Sequence, residues 1–150
     1  PSPGDSNVST MAAAMASARS ALTAERVRIE ASVSNLANAE STRGPDGQPY
    51  RRRGVVLAAT EVGTFDAALG RASTSVGVTV AGVIEDQSPF IRRYEPAHPD
   101  ADAEGFVALP NVNQAEEMTD MLTAARAYQA NLAAVGLIRD LVQRSLEIGR

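Results

Sequence analysis

The sequence predicts an α+β chain, mainly α, in which long N- and C-terminal helices pair in coiled-coil fashion around a small β-rich insert. Three observations predict it. Proline-free stretches with apolar residues at helical spacing occupy both ends of the chain. β-branched and aromatic residues gather between them. Aromatics make up only 4% of the 150 residues, with no Trp, and much of the 44% hydrophobic content is alanine. Such a composition favours close helix–helix packing over a large globular core.

Residues 1–8 are rich in Pro, Gly and Ser and are expected to form a disordered tail. The first helix is expected to begin at Ser9 or Thr10, either of which can cap it. It runs through Met11, Met15, Ala18, Leu22, Glu25, Ile29, Ser32 and Leu36. From Met15 onward the steps alternate between three and four, a heptad seam in which Glu25 and Ser32 are weak positions. The helix should end between Asn38 and Thr42, ahead of Gly44-Pro45, so this element occupies 9–42.

The insert covers 43–112. Pro45-Asp46-Gly47 is a turn signal. Strand-forming residues fall at Tyr50 to Thr60, Ser75 to Glu85, Phe90 to Glu95 and Gly105 to Leu109, enough for three or four short strands. Val76, Val78 and Val80 alternate as a half-buried strand does. Residues 61–74 read as a flexible loop, with Phe65 to Leu69 suited to a helical turn. An insert this small is not a robust domain by itself.

The second helix occupies 113–150. Pro110 stops any earlier helical register, and Asn113 with Glu116 forms the pattern of a capping box. Glu116, Glu117 and Asp120 lie at the positive end of the helix dipole; Arg139, Arg144 and Arg150 lie toward the negative end. Its apolar stripe is Met118, Met121, Ala125, Tyr128, Leu132, Val135, Ile138, Val142 and Leu146, interrupted by one internal glycine, Gly136. At 1.5 Å per residue the helix is about 50 Å long and needs a partner along its length.

Several function classes are disfavoured. There is no cysteine, hence no disulfide, zinc–thiolate site or thiol nucleophile. The net charge of -4 and a pI near 5.0 argue against a nucleic-acid partner. No apolar run approaches the roughly eighteen residues of a membrane span, so no direct membrane insertion is expected. Pro1-Ser2-Pro3-Gly4-Asp5 lacks the basic and apolar regions of a secretory signal, so a route out of the cytoplasm would need another exporter.

Candidate chemistry is thin. His98, the sole histidine, sits in a Pro-bounded loop without a nucleophile or an orienting acid. Asp100 to Gly105 imitates the start of a calcium loop, but the position that should carry a bidentate Glu is Asn111; a polar surface turn fits better. Arg51-Arg52-Arg53 lacks aromatic interleaving and reads as a solvated edge or a surface for an acidic partner. No phosphate loop, dinucleotide fingerprint or paired-histidine motif is present. The expectation is a non-enzyme with no catalytic, cofactor-binding or metal site.

Two separated motifs carry a family resemblance. Ser34-Asn35-Leu36-Ala37-Asn38-Ala39 closes the first helix and is followed by Gly44-Pro45-Asp46-Gly47-Gln48-Pro49-Tyr50. Pro110-Asn111-Val112-Asn113, Glu117-Met118 and Ala125-Arg126-Ala127-Tyr128-Gln129-Ala130-Asn131 mark the second. Together with Tyr94-Glu95-Pro96 and Pro99 to Gly105, these segments resemble the flagellar basal-body rod proteins of the axial rod and hook family, over about residues 11–150. Arg51-Arg52-Arg53 is more basic than that pattern, and residues 1–10 are longer than its usual start.

The resemblance implies a structural subunit of the proximal rod, polymerising with itself and with other rod proteins. It implies contact with the rod-base adaptor, and export through the flagellar type III apparatus without a cleaved signal. Heterologous contacts whose rotation does not close would build such a tube. Free subunits would then lose conformational entropy only on assembly.

The residues expected to carry helix packing and assembly are Met15, Leu22, Ile29, Asn35, Leu36 and Asn38 in the first helix. In the second they are Met118, Met121, Ala125, Tyr128, Gln129, Asn131, Leu132, Val135, Val142 and Leu146. Asn35, Asn38, Tyr128, Gln129 and Asn131 are expected to hydrogen-bond across helices or between subunits and set register; the plainer alternative is a C-terminal cap at Asn38 and solvent-facing amides. Rival readings are a soluble coiled-coil adaptor or chaperone, another rod subunit, and a small enzyme with its site on the 86–105 loop.

Overall fold

A computed structural model of the chain describes residues 3–62 and 75–148. The order of elements is α1 (Pro3–Ala37), β1 (Arg53–Val62), β2 (Ser75–Glu85), β3 (Ile91–Tyr94), β4 (Phe106–Leu109) and α2 (Gln114–Ile148). This is the mainly helical α+β arrangement expected: two long helices enclosing two small sheets, β1 paired with β2 and β3 with β4. Among the described residues, no helix is long and apolar enough to cross a membrane.

Two boundaries differ from expectation. α1 begins at Pro3, ahead of Ser9 or Thr10, so residues 3–8 are helical where a disordered tail was expected. Proline is well tolerated in the first helical turn, where its missing N–H has no intrahelical partner to lose. β1 spans Arg53–Val62 where Tyr50 to Thr60 was expected, β2 has the expected bounds Ser75–Glu85, and β3 and β4 have 4 residues each. The expected flexible loop falls almost wholly on 63–74, outside the described residues.

The chain divides into two compact units. The first contains the described parts of residues 1–26, 57–81 and 124–150. Its deepest side chains are Ala13, Ala18, Ala24 and Ala124. The larger residues of the expected seam, Met15, Leu22, Tyr128 and Val135, are only half-buried. The smallest side chains are thus the most sheltered of this unit. Two hydroxyls of α1 replace ladder partners for β2: Ser17 Oγ donates to the Val76 carbonyl (2.9 Å), and the Val78 N–H donates to Ser20 Oγ (3.0 Å). Val78 and Val80 are half-buried, but Val76 is exposed.

The second unit contains Val27–Val56 and Gly82–Thr123. β3 and β4 pair antiparallel, with Ile91 opposite Leu109 and Tyr94 opposite Phe106. Val107 and Leu109 point inward from β4 and, with Pro110, Val112 and Ala39, form the apolar core. β3 is exposed throughout. Gly105 precedes β4 with φ +84°, and a Cβ there would stand 3.0 Å from the Tyr94 ring and 3.1 Å from the Pro96 Cβ. Only glycine fits both that backbone and that space.

The α2 start is capped as expected on its Asn113 side: Asn113 Oδ1 accepts the N–H groups of Ala115 (3.1 Å) and Glu116 (3.4 Å). The sheltered stripe of α2 shares Met121, Tyr128, Val135 and Ile138 with the expected one and departs from it at the other positions. It runs Glu117, Met121, Ala124, Tyr128, Asn131, Val135, Ile138, in alternating steps of four and three. Met118 and Leu132, expected in the seam, are 52% and 53% exposed, and Leu146 reaches 69%. The most buried positions of that stripe are Glu117 and Ala124.

Candidate functional site

The most buried polar residues of the second unit lie together, at the last turns of α1, the start of β1 and the first turns of α2. Asn35 and Glu117 are each only 1% exposed. Asn35 Nδ2 donates to Glu117 Oε2 (3.0 Å) and to the Arg53 carbonyl (2.9 Å). Asn35 Oδ1 accepts the Arg53 N–H (2.8 Å) and the Tyr50 hydroxyl (2.9 Å). Both donors and both acceptor positions of the amide are therefore used, as a buried polar group requires.

Glu117 completes the cluster. Its other oxygen, Oε1, takes the Arg52 Nε–H at 2.5 Å in an ion pair, and Arg52 also reaches Asp120 at 3.5 Å. The Arg52 backbone N–H donates to Asn111 Oδ1 (2.9 Å), while Asn111 Nδ2 donates to the carbonyls of Asp86 (3.0 Å) and Ser88 (3.2 Å). Ser34 Oγ lies 3.1 Å from the Tyr50 hydroxyl. One network thus ties helix, strand and loop segments together, and each buried lone pair and proton counts toward its register.

The arginine triplet, expected as a solvated edge or a surface for an acidic partner, is exposed at Arg53 but half-buried at Arg51 and Arg52. Arg52 folds in to Glu117. The Arg51 guanidinium lies 4.3 Å over the Phe90 ring and donates to the carbonyls of Asp86 and Ser88; that of Arg53 lies 5.5 Å from the Tyr50 ring centre. The missed signal was Glu117 itself. It stands four residues before Met121 and seven before Ala124, on the inner face of α2, and a carboxylate there needs a cation.

The other expected residues divide. Ile29 and Leu36 are half-buried in this unit. Asn38 Nδ2 donates to the Ser34 carbonyl of its own helix (2.8 Å), and Asn131 Nδ2 to that of Ala127 (2.9 Å), so within the chain both amides serve their own helices. Gln129 is exposed, Met121 and Ala125 are half-buried, and Val142 lies in the exposed end of α2. Of the five residues expected to set register, Asn35 crosses to the other helix within the chain.

The loop candidates are structured by their own backbone. His98 Nδ1 accepts the Asp100 N–H (3.0 Å). Asp102 Oδ1 accepts the N–H groups of Phe106 (2.8 Å) and Glu104 (3.1 Å), and Oδ2 accepts the Arg92 guanidinium (2.6 Å). The Phe106 N–H above all, with Arg92 behind it, holds the Asp102 carboxyl below its ordinary range despite some desolvation. Among the described residues no group of three or more His, Cys, Asp or Glu is placed to hold a metal.

The model for "Flagellar basal body rod FlgEFG protein C-terminal" matches residues 103–148. The flagellar basal-body rod protein FlgC of Salmonella typhimurium is 44% identical over 133 residues, covering 89% of this chain and 93% of the relative. The chain belongs to the FlgC family of flagellar basal-body rod proteins. The FlgC of Bacillus subtilis is 40% identical over 140 residues, with 87% and 93% covered. That of Borreliella burgdorferi is 38% identical over 145, with 87% and 92% covered. The family resemblance seen in the two terminal motifs therefore extends through the insert, which carries Arg52 and Asn111.

Proposed function

We propose that this chain is a structural subunit of the proximal rod of the flagellar basal body, polymerising with itself and other rod subunits into a tubular shaft. Its FlgC kinship supports that reading, and the observation that carries it physically is the unsatisfied apolar surface of α2. Met118, Leu122, Leu132, Leu137, Leu141 and Leu146 are all more than half exposed. A free monomer gains nothing from large apolar side chains left in water, whereas neighbouring subunits bury them. The role is structural, not catalytic.

The finer parts of the reading follow the same logic. The assembly residues are those exposed on α2, Met118, Leu132, Val142 and Leu146, while Asn35 sets register inside the subunit. The subunit reaches the basal body through the flagellar type III apparatus without a cleaved signal and meets the rod-base adaptor there. In a strain lacking its own copy, the chain should restore swimming and co-purify with basal bodies. A Leu132→Asp, Leu146→Asp chain should be produced normally yet be absent from basal bodies. Incorporation of that variant at the wild-type level would refute the reading.

A further inference from the structure

β2 is an edge strand of a kind that needs protection. Among the described residues its one strand neighbour is β1, so its other edge has no ladder partner. Between Ser75 and Ile84 it carries Val76, Val78, Thr79, Val80, Val83 and Ile84, with no proline and no charged residue. A long, uncharged edge rich in β-branched residues is a template for a strand of another molecule, and identical segments stack on one another in register. The strand reaches its first charges only at Glu85 and, just beyond it, Asp86. At the Val76 end something else must close the edge.

Within the first unit, α1 meets this strand with two hydroxyls. Ser17 Oγ donates to the Val76 carbonyl at 2.9 Å, and the Val78 N–H donates to Ser20 Oγ at 3.0 Å. A carbonyl and the N–H two residues on point to the same edge of a strand and are the pair that an antiparallel neighbour takes up. Both groups face α1 here, not a strand. Ser20 Oγ also donates its own proton to the Ser17 carbonyl (2.7 Å), which leaves that oxygen an acceptor for Val78. Three residues apart, the two hydroxyls lie on one face of α1 and offer β2 one donor and one acceptor, as a neighbouring strand would. Gly77, between the two bonded valines, is buried. A glycine inside a strand marks a close approach by another element. We propose that Ser17 and Ser20 form an autoinhibitory clasp, which holds the edge of β2 closed against β2 of a second copy. The clasp concerns what keeps free chains apart, and stands or falls separately from the rod-subunit reading.

The chain has no cysteine, so Thr79→Cys, at an exposed position of β2, reports contact between copies of this strand. Full chains carrying it, with and without Ser17→Ala and Ser20→Ala, are held at equal concentration under oxidised glutathione. The disulfide-linked dimer is followed in time. Opening the clasp should speed cross-linking roughly tenfold, the scale of losing two ordinary hydrogen bonds. Alanine is a stronger helix former than serine, so far-UV ellipticity should be unchanged, which separates an opened edge from a melted α1. Ala81→Lys puts a charge on an exposed position of the strand and should return the double-alanine chain to the slow rate. Cross-linking as slow in the double-alanine chain as with Thr79→Cys alone overturns the proposal. Fast cross-linking that Ala81→Lys leaves unchanged overturns it too, because the contact then lies elsewhere than the β2 edge. Either result leaves the rod-subunit reading untouched, since that is read by entry into basal bodies.

Discussion

Asn35 offers two donors and two acceptor positions, and all four are met inside the fold, by Glu117, Tyr50 and both backbone groups of Arg53. Its partner Glu117 is buried with a charge, and removing it leaves Arg52 with only the 3.5 Å contact to Asp120. Glu117→Ala should therefore cost about 3–5 kcal/mol, read as a lower urea midpoint. Replacing both Arg52 and Glu117 by Met should recover part of the loss, since the desolvation cost then disappears for both. A midpoint unchanged in Glu117→Ala would mean the ion pair contributes nothing. Gly105→Ala should cost on the order of 1–3 kcal/mol, because the left-handed backbone and the Tyr94 and Pro96 contacts penalise a Cβ at once. Asn35 was legible in the sequence, as an amide beside an apolar seam position at a helix end. Glu117 and Arg52 were not. One was absorbed into the acidic first turn that helix dipoles favour, the other into a run of three arginines. Only the fold shows that a single member of each group turns inward.

At the scale of elements, both helices, the Asn113 cap of α2 and the places of the four strands follow from period, turn residues and proline positions. The facing of α2 follows at Met121, Tyr128, Val135 and Ile138 but not at Met118 and Leu132, and the reason is physical. Periodicity weights large apolar residues, so Met118 and Leu132 drew the stripe toward themselves. The inner face is instead set by Ala124 and by the polar Glu117 and Asn131, whose small size or bonding partners allow close packing. The β3–β4 pair shows a similar dependence on one carboxylate. Asp102 closes the connection through the Phe106 N–H and pairs with Arg92, and its folded pKa lies below the ordinary value of 3.8. A carboxyl depressed on folding adds stability above its unfolded value and loses that contribution as pH falls through the folded one. The Phe106 amide resonance should therefore titrate with a midpoint below 3.8 and cease to do so in Asp102→Asn. A midpoint at or above 3.8 would show that the carboxylate does not favour the closed connection.

For the whole molecule, the two units differ in what holds them. The second has Val107 and Leu109 beneath a satisfied polar network anchored by Asn35 and Glu117. The first has alanines at its deepest positions, each bringing little apolar area to set against the ordering of two long helical segments. Beyond Asp140 the side chains of α2 are exposed as far as Glu147, with Leu141 and Leu146 among them. Protection from exchange tracks local burial and the cost of local opening. Amide hydrogen exchange on the dilute purified chain should therefore find Val107, Leu109 and the turns around Asn35 and Glu117 slow, and residues 139–148 fast. On incorporation into basal bodies the fast segment should become slow, because neighbours then cover Leu141 and Leu146. Strong protection of 139–148 in a dilute monomer would mean that α2 needs no neighbour to stay ordered. Its exposed leucines would then lose their place as the driving surface for polymerisation, and the soluble coiled-coil adaptor would become the better account of the helices.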